Sequence, residues 1–149
     1  MSFQEFASEG LRPFFEAFAT MSTESDIEGL ARLYAPTILV AGPTGTHVVT
    51  SADLLRVIPK RKQLLESIGY QRTTLVGFHE IVLDQRYTLA RTEWQWQFGP
   101  PGAAARDELT LPSTFIVERS SDGPRIVVYV MHQDVVGVLR DRGWLPRAV

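Results

Sequence analysis

The groups able to move a proton or hold an anion in this 149-residue chain are 17 Asp and Glu, 15 Lys and Arg and three His, and there is no Cys. Without thiols, disulfides, thiolate zinc sites and cysteine nucleophiles are excluded together. Arg91 and Glu93 lie two apart and share one face of a strand, where they would form an acid site. Gln95 and Gln97 continue the same row, so it also reads as a solvated or subunit-facing polar surface. His79 and Glu80 are adjacent; in a strand they point to opposite faces and cannot act on one atom. His47, His79 and His132 lack the short spacing of metal ligands, which predicts no metal site. The basic run Arg56, Lys60, Arg61 and Lys62 reads as the solvent face of a helix. Gly42, Gly45 and Gly99 are turn glycines without phosphate-loop spacing, and no Gly-x-Ser-x-Gly run supports a nucleophilic serine.

The elements that position these groups belong to one domain over residues 1–149, with enough apolar material, 44% including eight Phe, four Tyr and three Trp, to bury a core. A net charge of −2 and a pI near 5.9 predict no nucleic-acid partner and no pull toward an anionic membrane. The longest aliphatic stretch, residues 126–131, is far short of the about 20 residues a membrane helix needs. Residues 1–9 carry no basic start and no apolar signal core, so a cytoplasmic protein is expected.

Apolar periodicity is helical before Gly69 and strand-like after it. Phe14, Phe15, Phe18 and Met21 form an aromatic stripe on a first helix that Pro13 opens or kinks. A Ser25–Glu28 capping box then starts a second helix carrying Ile27, Leu30, Leu33 and Tyr34, ended by Pro36. Residues 37–41 read as a short strand stopped by Gly42, Pro43 and Gly45. Thr50 or Ser51 caps a third helix that Pro59 bends, with Leu54, Leu55, Ile58, Leu64 and Leu65 as its buried face. Four strands follow, over residues 70–83, 87–98, 108–119 and 125–133, and their short joints make them antiparallel. Residues 135–142 form a last short helix stopped by Gly143 and Pro146. The fold class is therefore α+β, three helices covering one face of a curved, mainly antiparallel sheet.

Within the strands, Ala90, Thr92, Trp94, Trp96 and Phe98 should face the helices, as should Leu111, Ser113, Phe115 and Val117, although Pro112 suggests a bulge that would reverse parity. In the last strand Val127, Tyr129, Met131 and Gln133 share one face, and Ile126, Val128, Val130 and His132 the other. With both faces apolar, the outer one is expected to meet a second subunit.

Two segments carry a family resemblance. The run Asp26-Ile27-Glu28-Gly29-Leu30-Ala31-Arg32-Leu33-Tyr34-Ala35, with Val40-Ala41-Gly42-Pro43 and Gly45, is similar to the second helix and following strand of ketosteroid isomerases. Residues 134–146, Asp-Val-Val-Gly-Val-Leu-Arg-Asp-Arg-Gly-Trp-Leu-Pro, resemble the carboxy-terminal pattern of SnoaL-like polyketide cyclases. Both groups belong to the nuclear transport factor 2-like (NTF2-like) superfamily, whose cone closes over a sheet-lined pocket and whose convex face often serves dimerisation. The isomerase base falls on Gly42, its tyrosine on Phe18 and its second acid near Ser113, so the resemblance does not extend to steroid isomerisation. The cyclase resemblance implies a cofactor-independent enzyme with Asp134 as acid or base; for a small hydrophobic, oxygenated substrate, His132 two residues away is the candidate paired base, and Tyr34, toward the expected cone mouth, or Tyr129 would orient a carbonyl.

The same residues have plainer readings: Asp134 as a helix N-cap, His132 as an interface histidine and Tyr34 as a core aromatic. Thr92, Ser113, Tyr129 and Gln133 would orient a ligand while Phe15, Phe18, Trp94, Trp96, Phe115 and Met131 wall it. Alternatively the aromatics fill the cone, and the domain binds a ligand or partner without chemistry.

Overall fold

A computed structural model describes residues 10–145; the expectations placed on residues 1–9 and on Pro146 lie outside the described residues. Helix α1 (Arg12–Glu24) carries Pro13 in its first turn, where a missing N–H breaks no helical bond. Its amino end is tied to the sheet, because the Leu11 N–H donates to Oε2 of Glu80 at 2.9 Å. Ser25, with a left-handed φ of 68°, closes α1 instead of capping the next helix. Asp26 takes the capping role: its carboxylate accepts the Gly29 N–H at 2.9 Å and starts α2 (Ile27–Arg32).

The second helix stops short of Tyr34. Pro36 pushes Ala35 toward extended backbone, and the Ile126 N–H donates to the Leu33 carbonyl at 2.8 Å. Tyr34 is thereby drawn into strand β1 (Tyr34–Gly42). A strand absent from the sequence reading, β2 (Gly45–Thr50), folds back on β1 as an exposed hairpin. Helix α3 (Ser51–Ser67) opens on a reciprocal cap in which Thr50 N–H donates to Asp53 at 2.9 Å and Asp53 N–H to the Thr50 hydroxyl at 3.3 Å. Leu65 on this helix is buried and Leu54 packs on the core, but Leu55 and Leu64 are exposed. At the end of α3, Gly69 adopts φ 93°, and a Cβ there would lie 2.9 Å from the Gly99 carbonyl oxygen, so only glycine fits.

Strands β3 (Tyr70–Val82), β4 (Tyr87–Phe98), β5 (Asp107–Ser120) and β6 (Gly123–Met131) pair antiparallel in succession. The six-stranded sheet runs β2-β1-β6-β5-β4-β3, with β1 parallel to β6. The inner parity of β4 and β5 is as the alternation predicts: Ala90, Thr92, Trp94, Phe98, Leu111, Ser113, Phe115 and Val117 are buried, and Trp96 is half-buried. Pro112 makes no bulge. It pairs with Glu93 in unbroken β4–β5 register, one residue beyond the last β5–β6 pair, Ser113 with Met131. The irregularity falls on β6 instead, where Val117 faces Ile126 but Ile116 faces Val128, leaving Val127 as the extra residue. That resets the parity, so Ile126, expected on the outer face, is fully buried, while Tyr129 still packs inward 4.6 Å from the Phe115 ring. Helix α4 (Val135–Asp141) follows.

Two cores result. The first gathers Phe15, Ile38, Ala90, Trp94, Phe115, Val117 and Ile126 beneath α1. The second gathers Leu65, Phe98, Leu109, Leu111, Leu139 and Leu145 beneath α3 and α4, and Trp96 packs against both. No helix among the described residues is long and apolar enough to cross a membrane. Phe15 is wholly buried among Phe14, Phe18, Phe78, Trp94 and Phe115. Phe15→Ala is expected to lower unfolding free energy by about 3–5 kcal/mol in urea titration, whereas Val48→Ala, at a site 70% exposed, should stay within about 0.5 kcal/mol.

Candidate functional site

Where the two cores meet, the helices stand off from the sheet and leave a cavity of about 140 Å³. Helix α1 contributes Phe18 and Ser22, α2 contributes Ile27 and Leu30, and α3 contributes Ile58, Arg61, Lys62 and Leu65. The sheet supplies Tyr34, Tyr70, Thr73, Trp94, Trp96 and Tyr129. An apolar cavity of about 150 Å³ accommodates one benzene ring, so this space suits a single six-membered ring. A hollow of about 20 Å³ lies on the other side of Trp94, Trp96 and Tyr129 and is lined also by Ser113, Met131 and Gln133.

Ile58, Arg61, Lys62 and Leu65 fall at positions i, i+3, i+4 and i+7 of α3 and therefore share one face. Arg61 and Lys62 are accordingly half-buried at the cavity, whereas Arg56 and Lys60 are exposed. The reading of the whole basic run as solvent face holds for the latter two and fails for the former two, since the helix turns that stripe toward the sheet. The central carbon of the Arg61 guanidinium lies over the Trp96 ring, 5.3 Å from its centroid. It has no carboxylate partner among the described residues, while Lys62 is held by Glu66 at 3.1 Å.

Three phenols complete the polar surface. Burial pushes the Tyr34 hydroxyl far above the usual 10.0, the neighbouring Tyr129 adds to that, and Arg61 pulls against it. Tyr34 has no hydrogen-bond partner among the described residues, so its hydroxyl is open to whatever the cavity holds. Burial also raises Tyr70; its short hydrogen bond with the Thr73 hydroxyl, then Thr23 and Arg61, act in the opposite sense. Near neutral pH Tyr34 and Tyr70 are protonated, which makes them hydrogen-bond donors and not bases. Among the described residues no Asp or Glu lines the cavity or the hollow. The inner-face carboxylate Glu80 is engaged by the Leu11 N–H.

Of the residues singled out from the sequence, Phe18, Tyr34, Trp94, Trp96 and Tyr129 come together around the cavity, and Ser113, Met131 and Gln133 around the hollow. Phe15, Phe115 and Thr92 lie deeper, in the packed core, with the Thr92 hydroxyl donating to the Ser113 carbonyl at 3.1 Å. Asp134 and His132 line neither space. Both are exposed: Asp134 precedes α4 without a side-chain bond to it, and His132 Nε2 meets the Thr114 hydroxyl at 2.7 Å. Sequence reasoning missed Arg61, Lys62, Tyr70 and the α2 wall. For Arg61 and Lys62 the signal was their place in the Ile58–Leu65 stripe.

Residues 4–134 match the model of a family described as NTF2-like protein (DUF6841). No curated protein matches the sequence. Among solved structures, an NTF2-like protein with a cystatin-like fold from Novosphingobium aromaticivorans superimposes with a TM-score of 0.69 at 16% identity, over 97% of this chain and 92% of its own. Aln2 from a Streptomyces species gives 0.70 at 15% identity, over 87% and 92%. A ketosteroid isomerase-like protein from Erwinia carotovora atroseptica gives 0.58 at 13%, over 80% and 91%. At these identities the likeness is one of fold.

The fold holds Tyr34 and Tyr70 protonated, whereas unfolded tyrosines ionise near 10.0. Their contribution to stability is therefore complete below that pH and is lost as pH rises through it toward the folded values. In tyrosinate absorbance at about pH 11, Tyr34→Phe should leave the native amplitude unchanged and reduce the unfolded amplitude by one tyrosine of four. A drop in the native amplitude would show that Tyr34 ionises normally.

Proposed function

The chain belongs to the NTF2-like family DUF6841, and from that premise we propose that it is a small-molecule-binding protein whose cavity takes a hydrophobic, oxygenated molecule of one ring. The observation that carries this reading is the combination of size and lining: about 140 Å³, aromatic walls, and polar groups that donate hydrogen bonds. Trp94, Trp96 and Phe18 offer ring faces, Leu30, Ile58 and Leu65 close the helix side, and Tyr34 and Tyr129 present hydroxyls to a ligand oxygen. A reaction begun by proton abstraction at carbon needs a base within hydrogen-bond reach of the ligand. Among the described residues the lining has no carboxylate, and Asp134 and His132 lie outside it, so binding and polarisation of an oxygen are better supported than cyclase or isomerase turnover.

A second reading concerns the outer face. Register aligns Val48, Leu39, Val128, Ile116, Leu89 and Ile81 in one aliphatic row across all six strands. Val48, Leu39 and Ile81 are exposed, and an apolar row of that length supports covering by a second copy of the chain. Light scattering should return twice 16.7 kDa, falling to the single value in Leu39→Arg/Ile81→Arg; a strict monomer at high concentration overturns this reading.

For the cavity, benzyl alcohol is expected to shift the indole N–H resonances of Trp94 and Trp96 and leave that of Trp144, outside the cavity lining, in place. A tetracyclic ketone should shift none of them. Ile58→Trp, which fills the space, should abolish the benzyl alcohol response while the protein remains folded by circular dichroism. Absence of any indole shift at saturating benzyl alcohol would overturn the binding reading.

A further inference from the structure

Two cations line the cavity, Arg61 and Lys62. Lys62 pairs with Glu66 at 3.1 Å, whereas among the described residues no Asp or Glu lines the space and Arg61 has no ion-pair partner. A guanidinium removed even partly from water carries a desolvation cost that a carboxylate partner would ordinarily offset. Here the described protein offers the guanidinium the Trp96 ring, 5.3 Å from its central carbon, and no hydrogen-bond acceptor among the described residues. Arg61 also lies in the wall shared by the main cavity and the smaller hollow, beside Trp94, Trp96 and Tyr129. Its charge is felt at both the Tyr34 and Tyr70 hydroxyls, which places the cation within electrostatic reach of two more donors.

We propose that the ligand is a single-ring monoanion, an aromatic or cyclic carboxylate whose charged group is received by Arg61 with the Tyr34 and Tyr129 hydroxyls, and whose ring lies against Trp94. The proposal rests on the binding reading above and names the chemical class that site takes. A monoanion matches Arg61, the lining cation that has no carboxylate partner among the described residues. The chemistry of the group favours a carboxylate, since a guanidinium presents paired N–H groups that match two carboxylate oxygens. Size selects one ring. Buried phenols favour the same class, because they donate to an anion and repel none of its charge while they stay protonated.

The test uses the full chain and two near-isosteric probes, benzoate and benzamide, titrated by calorimetry at low ionic strength. Benzoate is expected to bind about tenfold or more tighter than benzamide, the gain typical of a hydrogen bond made to a charged partner. Arg61→Gln should bring the two affinities together, and Arg61→Lys should fall between, retaining the charge and losing the paired geometry. On the wild-type protein, the Arg61 Nε–H resonance should move with benzoate and stay with benzamide, a readout independent of how the variants fold. Equal binding of both probes, or a preference for benzoate that survives Arg61→Gln, overturns the anion inference and leaves the one-ring cavity standing. If neither probe nor benzyl alcohol binds, the cavity reading itself fails and the inference falls with it.

Discussion

The burial of Phe15 is the constraint on which the rest of the molecule depends. Its ring, without any exposure, contacts rings on its own helix and on β3, β4 and β5 at once, among them Phe115 at a centroid distance of 4.9 Å and Phe78 at 5.8 Å. A side chain that touches three strands of a curved sheet fixes how deep the helix lies in the concavity. The Leu11 N–H bond to Glu80 fixes one end of that helix against the same sheet. Once α1 is seated there, it fills one half of the concave face. The other half is closed by α3 and α4 through Leu65 and Leu139, which form a separate core. The cavity is the seam between two independently satisfied cores, and Trp96, packed on both, is its septum.

Placing polar groups in that seam has a cost that the fold meets unevenly. Tyr70 is satisfied through Thr73, whose own N–H donates to the Thr23 hydroxyl at 3.0 Å, so α1 and β3 are joined by the same network that orients the phenol. Tyr34 and Arg61 have no equivalent partner among the described residues. A buried polar group left open is unfavourable until water or a ligand completes it.

The sequence pattern specifies the sheet better than the site. The limits of β4, Tyr87–Phe98, follow from alternation alone, because a strand with one wet and one dry face writes its period into the residue types. Strand β2 is exposed along nearly its whole length and writes no such period. Tyr34 continues a helical spacing yet is recruited to a strand by pairing with Ile126, 92 positions away in the chain, which no local pattern reports. The Val127 bulge was similarly invisible, whereas Pro112, which announced one, sits where the β5–β6 ladder has already ended. Arg61 escaped notice because amphipathic patterns are read by counting apolar residues, and a cation on the inner stripe is scored as surface. The half-site of aromatic walls was legible from strand parity; the charge that gives it chemical character was not.

The positions that the resemblance to ketosteroid isomerases marks carry no acid and no tyrosine here. Gly42 lies beside Met131, with the Met131 methyl 3.5 Å from where a Cβ would stand, and Met131 and Ser113 line only the small hollow. Phe18 faces the cavity but contributes a ring face and no hydroxyl. The polar groups of the lining include Arg61 on α3 and Tyr34 and Tyr129 on the sheet. A carboxylate-lined site removes a proton from a neutral ligand, whereas a cation beside Tyr34, held protonated by burial, favours negative charge. Phe15 and the sheet curvature define the scaffold, and the sign of the site is set by the few side chains that line the seam.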